Sequence, residues 1–217
     1  RKAANKESSM EQMQTLGLIA LLAGLAKIAI LFFSKTENKL SSAFALVCIS
    51  MILQNAFEFL VAVTYYTNPS LTDQVFKAEM LSLLFLAYCL LLFCLTATES
   101  KYAKPVATVF GLFLLACVCL LLSGHLVNGY KQVGYTLISI PAAYYSALNV
   151  YGFMILSAAL VVLTLSTRSG NSEVRNRSRQ VRGAVIPICL VGFLVLVLRA
   201  LGVNASTAVF MPLATTF

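Results

Sequence analysis

Three polar side chains inside apolar stretches are the first candidates for chemistry: Lys27, Gln54 and Glu58. A charged side chain in a bilayer faces protein or water, or extends to the interface, because burial of a lone charge in lipid is costly. Two antiparallel helices that rise about 1.5 Å per residue would bring Lys27 level with Gln54 and roughly one to two turns from Glu58. We therefore predict an intramembrane polar junction of these three residues. The alternative is that Lys27 and Glu58 extend separately toward opposite interfaces.

A second candidate set lies toward the side that we predict to be extracytoplasmic. Tyr145 and Asn149 are four residues apart, so on a helix they share a face, with Gly152 close to it. A polar face with a small residue is expected to lie against protein rather than lipid. It serves either helix packing or the wall of a ligand pocket.

His125 and Arg199 complete this hypothetical ligand site. His125 opens a long connection, where a histidine acts as a structural hydrogen-bonding group, a ligand contact or a pH sensor. Arg199 is near a predicted helix end, as a membrane anchor or as a counter-charge for an anionic ligand or for Glu58. The four residues together predict a small-molecule site on the outer side.

No arrangement of residues predicts catalysis. The sequence indicates no Ser–His–Asp, Cys–His or paired-carboxylate set, and no phosphate-binding glycine loop, so we expect no enzyme activity. It likewise indicates no chain of acids for a proton or ion pathway. A single histidine argues against a metal centre or a bis-histidine haem, and we expect no cofactor. The six cysteines all fall in apolar runs, which favours buried free thiols over disulfides.

The elements that position these side chains must be membrane helices. Of 217 residues, 59% are hydrophobic and 11% are charged, whereas soluble domains carry about 25% charged residues. The composition predicts an all-α integral membrane protein with the lipid bilayer as its first partner. Arg1–Gln14 is a polar tail, and Thr15–Phe217 is a single polytopic domain.

Six complete transmembrane helices and the start of a seventh, Ala208–Phe217, follow from the apolar runs. Between the fourth and fifth spans lies the longest connection, Gly124–Pro141, predicted as an outer loop. The complete spans are approximately Thr15–Phe33, Ala43–Tyr65, Ala78–Ala97, Val106–Ser123, Ala142–Ser166 and Ala184–Val203.

The segment Thr167–Gly183 sets the direction of every span. It contains five arginines and one acid, Glu173, and basic loops stay in the cytoplasm. The loops after spans one and three are also lysine-containing, which agrees with this assignment and places the N-terminus outside. An arginine cluster also occurs in nucleic-acid binding, but no soluble domain is present to support it, so we expect no nucleic-acid partner.

The order of several short motifs resembles the seven-transmembrane N-terminal sensor domain of bacterial histidine kinases and diguanylate cyclases. The resemblance extends over about Leu16–Phe217. The matching motifs are Phe57-Glu58-Phe59-Leu60, Lys77-Ala78-Glu79, Leu95-Thr96-Ala97-Thr98-Glu99, Leu122-Ser123-Gly124-His125, Tyr145-Ser146-Ala147 through Gly152, Arg179-Gln180 with Ile186-Pro187, and Met211-Pro212-Leu213.

The resemblance implies a receptor of a two-component or related signalling system in the bacterial inner (plasma) membrane. It would relay an extracytoplasmic or intramembrane signal to a cytoplasmic output module beyond residue 217, in which any kinase or cyclase activity would lie. A homodimer or other membrane-complex partners would then be expected. Two other functions remain open: a structural or accessory subunit of a larger membrane complex, and a small-solute transporter, for which paired broken helices would be the sign.

Overall fold

The computed structural model describes residues 15, 18–19, 21–26, 28–29, 39–133 and 136–200, with backbone alone at 133, 136, 199 and 200. Residues 21–26 and the neighbouring described positions of the first predicted span are helical. The polar tail, Lys27, the turn after the sixth span and the start of the seventh lie outside the described residues. The predicted total of six complete spans therefore stays a prediction.

Five helices in the described part of the chain are long and apolar enough to cross a membrane. They correspond to predicted spans two to six, which confirms the mainly helical membrane class. Their bounds are α1 (Lys39–Thr64), α2 (Pro69–Ala97), α3 (Ala103–Leu122), α4 (Tyr145–Ser166) and α5 (Ser172–Ala200).

The central helix is α2, which packs against α1, α3, α4 and α5. Its start is fixed locally: Asn68 Oδ1 accepts a hydrogen bond from the Leu71 N–H at 3.1 Å, and Pro69 occupies the first turn. Its buried side chains, among them Leu91 and Cys94, join those of α3, α4 and α5 in one apolar core. By contrast, α3 exposes a row of large apolar side chains, as a helix facing lipid does.

The predicted arginine loop is mostly helix. Only residues 167–171 connect α4 to α5, and residues 172–183 form the first three turns of α5. Asn171 Oδ1 accepts hydrogen bonds from the N–H groups of Glu173 and Val174 at 2.9 and 3.4 Å. This cap, with the acidic Glu173 in the first turn, favours a helix start well before the apolar run. The boundary predicted at Ala184 was therefore twelve residues late.

The predicted outer loop is a two-stranded antiparallel hairpin, β1 (Val127–Val133) and β2 (Thr136–Pro141). Gly124 ends α3 with φ +77°, a conformation that glycine adopts without a steric penalty, and Gly129, with φ +124°, lies in an irregularity of the register. Leu126 and Val127 insert into the apolar core. We call this side of the bundle the hairpin end. The opposite side, with residues 98–102, 167–171 and the first turns of α5, is the arginine end.

Candidate functional site

A polar cluster joins α1 to α2 within the bundle. The Gln54 Nε2 donates a hydrogen bond to Glu79 Oε1 at 3.3 Å, and the Ser82 hydroxyl donates to Gln54 Oε1 at 2.7 Å. Gln54 is ten residues before the end of α1 and Glu79 ten residues after the start of α2. Both therefore lie about 15 Å from the hairpin end of their helices. The amide of Gln54 thus bridges a carboxylate and a hydroxyl of the neighbouring helix.

Of the predicted junction of Lys27, Gln54 and Glu58, the structure describes Gln54 and Glu58. Glu58 is buried and lies one turn from Gln54 on the α2-facing side of α1. Gly24 of the first predicted span packs against Asn55 of α1: a Cβ built at Gly24 would lie 3.5 Å from Asn55 Cβ. The first span therefore meets α1 beside this cluster. Lys27 itself is outside the described residues, so its membership stays a prediction.

A cleft of about 100 Å³, partly open to the outside, lies over α2 between α1 and the pair α4–α5. Its lining is apolar except for Asn149 and Tyr151. The Tyr151 hydroxyl is occupied, because it donates to the Leu84 carbonyl at 3.3 Å. The other lining residues are Met51, Leu83, Leu84, Leu86, Ala87, Leu90, Leu148, Gly152, Leu156, Ile188, Gly192, Val195 and Leu196.

Asn149 supplies the available polar group of this cleft. Its Oδ1 is buried and has no hydrogen-bond partner among the described residues. Leaving such an acceptor without a partner costs about 1–3 kcal/mol. Gly152, which the sequence placed on the same side as Asn149, also lines the cleft. The structure thus brings these two residues together in the lining of one apolar cleft.

Two of the other three residues of the predicted ligand site, Tyr145 and His125, lie elsewhere. Tyr145 shares a hydrogen bond with the Ser139 hydroxyl of β2, the two oxygens being 3.0 Å apart. His125 is exposed, and its ring packs edge-on against Tyr144 with the centroids 6.0 Å apart. Both residues hold the hairpin to the start of α4 rather than line the cleft. The side chain of Arg199 is outside the described part of the structure.

Aromatic residues hold the hairpin to the α1–α2 connection. The Tyr130 hydroxyl donates to the Pro69 carbonyl at 3.2 Å, and Gln132 Nε2 donates to the Tyr66 hydroxyl at 2.9 Å. The Tyr65 ring lies 4.7 Å from that of Tyr66 and 5.9 Å from that of Tyr130. Burial, and then these two phenols, raise the pKa of Tyr65 above its ordinary value. The hairpin is therefore attached to the α1–α2 connection by an aromatic cluster.

At the arginine end, Arg177 of α5 clasps the end of α2. Its Nε donates to the Ala97 carbonyl at 2.7 Å, and its Nη2 pairs with Glu99 Oε1 at 2.5 Å. Glu99 has a positive φ of 49°, which is uncommon for a residue with a side chain. A cation at a helix C-terminus also interacts favourably with the helix dipole. Sequence reasoning grouped Arg177 with the other loop arginines and missed this contact, because a charge pattern alone does not identify partners.

The cleft offers an apolar surface and one amide, with no charged side chain among its lining residues. In comparisons with known proteins, no family model, no curated protein and no solved structure matches the chain.

Proposed function

We propose that the chain is a non-catalytic transmembrane sensory module, which binds a ligand in the cleft and relays its presence to the cytoplasmic side. The output module would lie beyond this chain, as the resemblance to bacterial sensor domains implies, and the bacterial plasma membrane belongs to the same proposal. The hairpin end would face outward and the arginine end the cytoplasm.

The course of α5 carries this proposal. Ile188 and Gly192 of this helix line the cleft, and Arg177 of the same helix contacts the end of α2 at the arginine end. Pro187 lies between the two regions, inside the helix, where it removes one backbone hydrogen bond and favours bending. A ligand that binds one packing of α5 more tightly than another would shift the population toward that packing.

The first experiment fills the cleft by mutation, so that no ligand needs to be known. Ala87→Phe places a ring in the cleft, and Leu112→Phe adds the same group to the exposed face of α3 as the control. Hydrogen exchange of the backbone in residues 172–182 is measured in lipid nanodiscs. We expect a change of about tenfold in Ala87→Phe, which corresponds to about 1.4 kcal/mol, and none in Leu112→Phe.

Equal exchange in both variants and the wild type would show that the cleft does not communicate with the arginine end. Leu90→Phe, from the same lining, replaces Ala87→Phe if that variant does not fold. Copurification with a stoichiometric membrane partner, together with unchanged exchange, would instead favour an accessory subunit.

A further inference from the structure

We infer that the cleft accepts a single-chain, uncharged amphiphile whose head carries a hydrogen-bond donor, such as a long-chain alcohol. This inference rests on the proposed function and specifies its ligand. It follows from three features of the cleft: where its polar atom lies, what that atom can accept, and what the remaining surface excludes.

The polar atom lies at one end of the cleft. Asn149 is four residues after the start of α4, about 6 Å below the hairpin end of that helix, and Leu196 of α5 lies beside Gly152, about one turn deeper. Leu156 and Ile188 lie about 10–12 Å deeper on the same two helices. The cleft is therefore polar toward the hairpin end and apolar toward the middle of the bundle. An amphiphile would bind with its head at Asn149 and its chain toward Leu156.

The polar atom is an acceptor. Asn149 Oδ1 is buried and has no partner among the described residues, so a ligand hydroxyl or amide N–H would satisfy it. Satisfying a buried acceptor is worth about a factor of five to ten in affinity over an equivalent group that cannot donate. The ligand is therefore expected to carry a donor, and an ether or an ester alone would bind more weakly.

The remaining surface excludes a charge on the ligand. The lining residues include no lysine, arginine, aspartate or glutamate. A carboxylate or ammonium group in this environment would lose its hydration without gaining an ion pair. This argues against fatty acids and quaternary amines as ligands, and it leaves neutral amphiphiles of the bilayer.

The experiment compares three photoactivatable probes with the same chain: hexadecanol with a mid-chain diazirine, its methyl ether and the corresponding carboxylate. The full chain is labelled in phosphatidylcholine nanodiscs, and the labelled peptides of α4 and α5 are mapped by mass spectrometry. We expect saturable labelling by the alcohol, competed by unlabelled hexadecanol. The ether should have an apparent affinity about five-fold lower, and the carboxylate should not saturate.

Asn149→Leu should reduce the affinity for the alcohol to that for the ether, whereas Thr164→Leu, at an exposed position of the same helix, should leave the preference intact. If Asn149→Leu does not fold, the comparison of alcohol with ether in the wild type still shows whether the ligand needs a hydrogen-bond donor. Equal affinity for alcohol and ether would overturn the inferred donor. Tighter binding of the carboxylate would overturn the inferred neutrality.

Other occupants of the cleft give distinct results. Labelling that saturates only after residues 201–217 are removed would assign the cleft to that segment of the chain, and would overturn the inference. Absence of saturable labelling in either form would exclude all three amphiphiles. Neither result changes the expected effect of Ala87→Phe on hydrogen exchange, so the proposed function and its ligand class fail separately.

Discussion

At the scale of single residues, the depth of a polar side chain along its helix indicates its hydrogen-bond partners better than its residue type does. The sequence indicated Gln54 and Glu58 as buried polar groups but missed Glu79 and Ser82, which hydrogen-bond to Gln54. Equal distances of Gln54 and Glu79 from the α1–α2 connection would have identified this pair from the sequence. By contrast, no spacing rule foretells that Asn149 Oδ1 lacks a partner, because that depends on how three other helices pack around it.

The Gln54 bridge predicts a loss of stability when its amide is removed. Gln54→Leu eliminates the donor to Glu79 and the acceptor for Ser82, at a cost of about 1–2 kcal/mol in the free energy of unfolding. Gln74→Leu, at an exposed position of α2, is the matched control. Thermal unfolding in detergent measures both, and equal melting temperatures would contradict a stabilising role for the bridge.

The predicted contact of Lys27 with the polar cluster can be tested by a double-mutant cycle. If Lys27 pairs with Glu58, then Lys27→Gln and Glu58→Gln each destabilise, and the double variant loses about 1 kcal/mol less than the sum of the two. Unfolding of the four proteins in the same detergent gives the coupling energy. Additive losses would indicate that Lys27 extends separately to the interface.

At the scale of elements, the five apolar spans were predictable from the sequence, whereas the polar first turns of α5 and the hairpin were not. Apolar runs of membrane length identify α1 to α5 because a bilayer demands them. The helical turns at residues 172–183 escaped prediction because hydropathy detects only the part in lipid, although Asn171 and Glu173 are ordinary signals of a helix start. The hairpin was not predicted because its anchors, Tyr130 and Gln132, contact residues more than 60 positions away.

The clasp at the arginine end predicts that one arginine of α5 matters far more to the structure than its neighbour. Arg177→Ala removes the contacts with the Ala97 carbonyl and Glu99, so backbone hydrogen exchange in residues 172–182 should accelerate by about tenfold. Arg179→Ala, an exposed arginine on the same helix, should have little effect. Similar acceleration in both variants would mean that total charge, rather than the clasp, holds the helix.

At the scale of the whole molecule, the two ends of the bundle differ in charge. Lys39, Lys101, Lys104 and Arg168 lie at the arginine end together with the arginines that begin α5. At the hairpin end, Lys77 pairs with Asp73, with Nζ and Oδ2 2.7 Å apart, and Lys131 of β1 is the other described lysine. The fold therefore keeps the charge asymmetry from which the sequence predicts the orientation, and by the positive-inside rule we predict that the arginine end faces the cytoplasm.

This orientation predicts which end an impermeant thiol reagent reaches in intact cells. Asn128→Cys in β1 should be labelled from outside, and Gly170→Cys between α4 and α5 only after lysis, because the reagent does not cross the bilayer. Both positions are exposed, and a side chain at Gly170 would meet no atom within 4 Å. Labelling of Gly170→Cys in intact cells would reverse the predicted orientation of the bundle in the membrane.

Because α5 starts well before its apolar run, a small bend at Pro187 produces a large movement at the start of the helix. Fifteen residues separate Ser172 from Pro187 in one unbroken helix, a stiff rod of about 22 Å. A change of about 10° in the bend at Pro187 would move Ser172 by about 4 Å, which is several times the displacement of a residue next to the bend. A displacement of well under 1 Å beside Ile188 would thereby become, at Ser172, a movement large enough for another protein to detect.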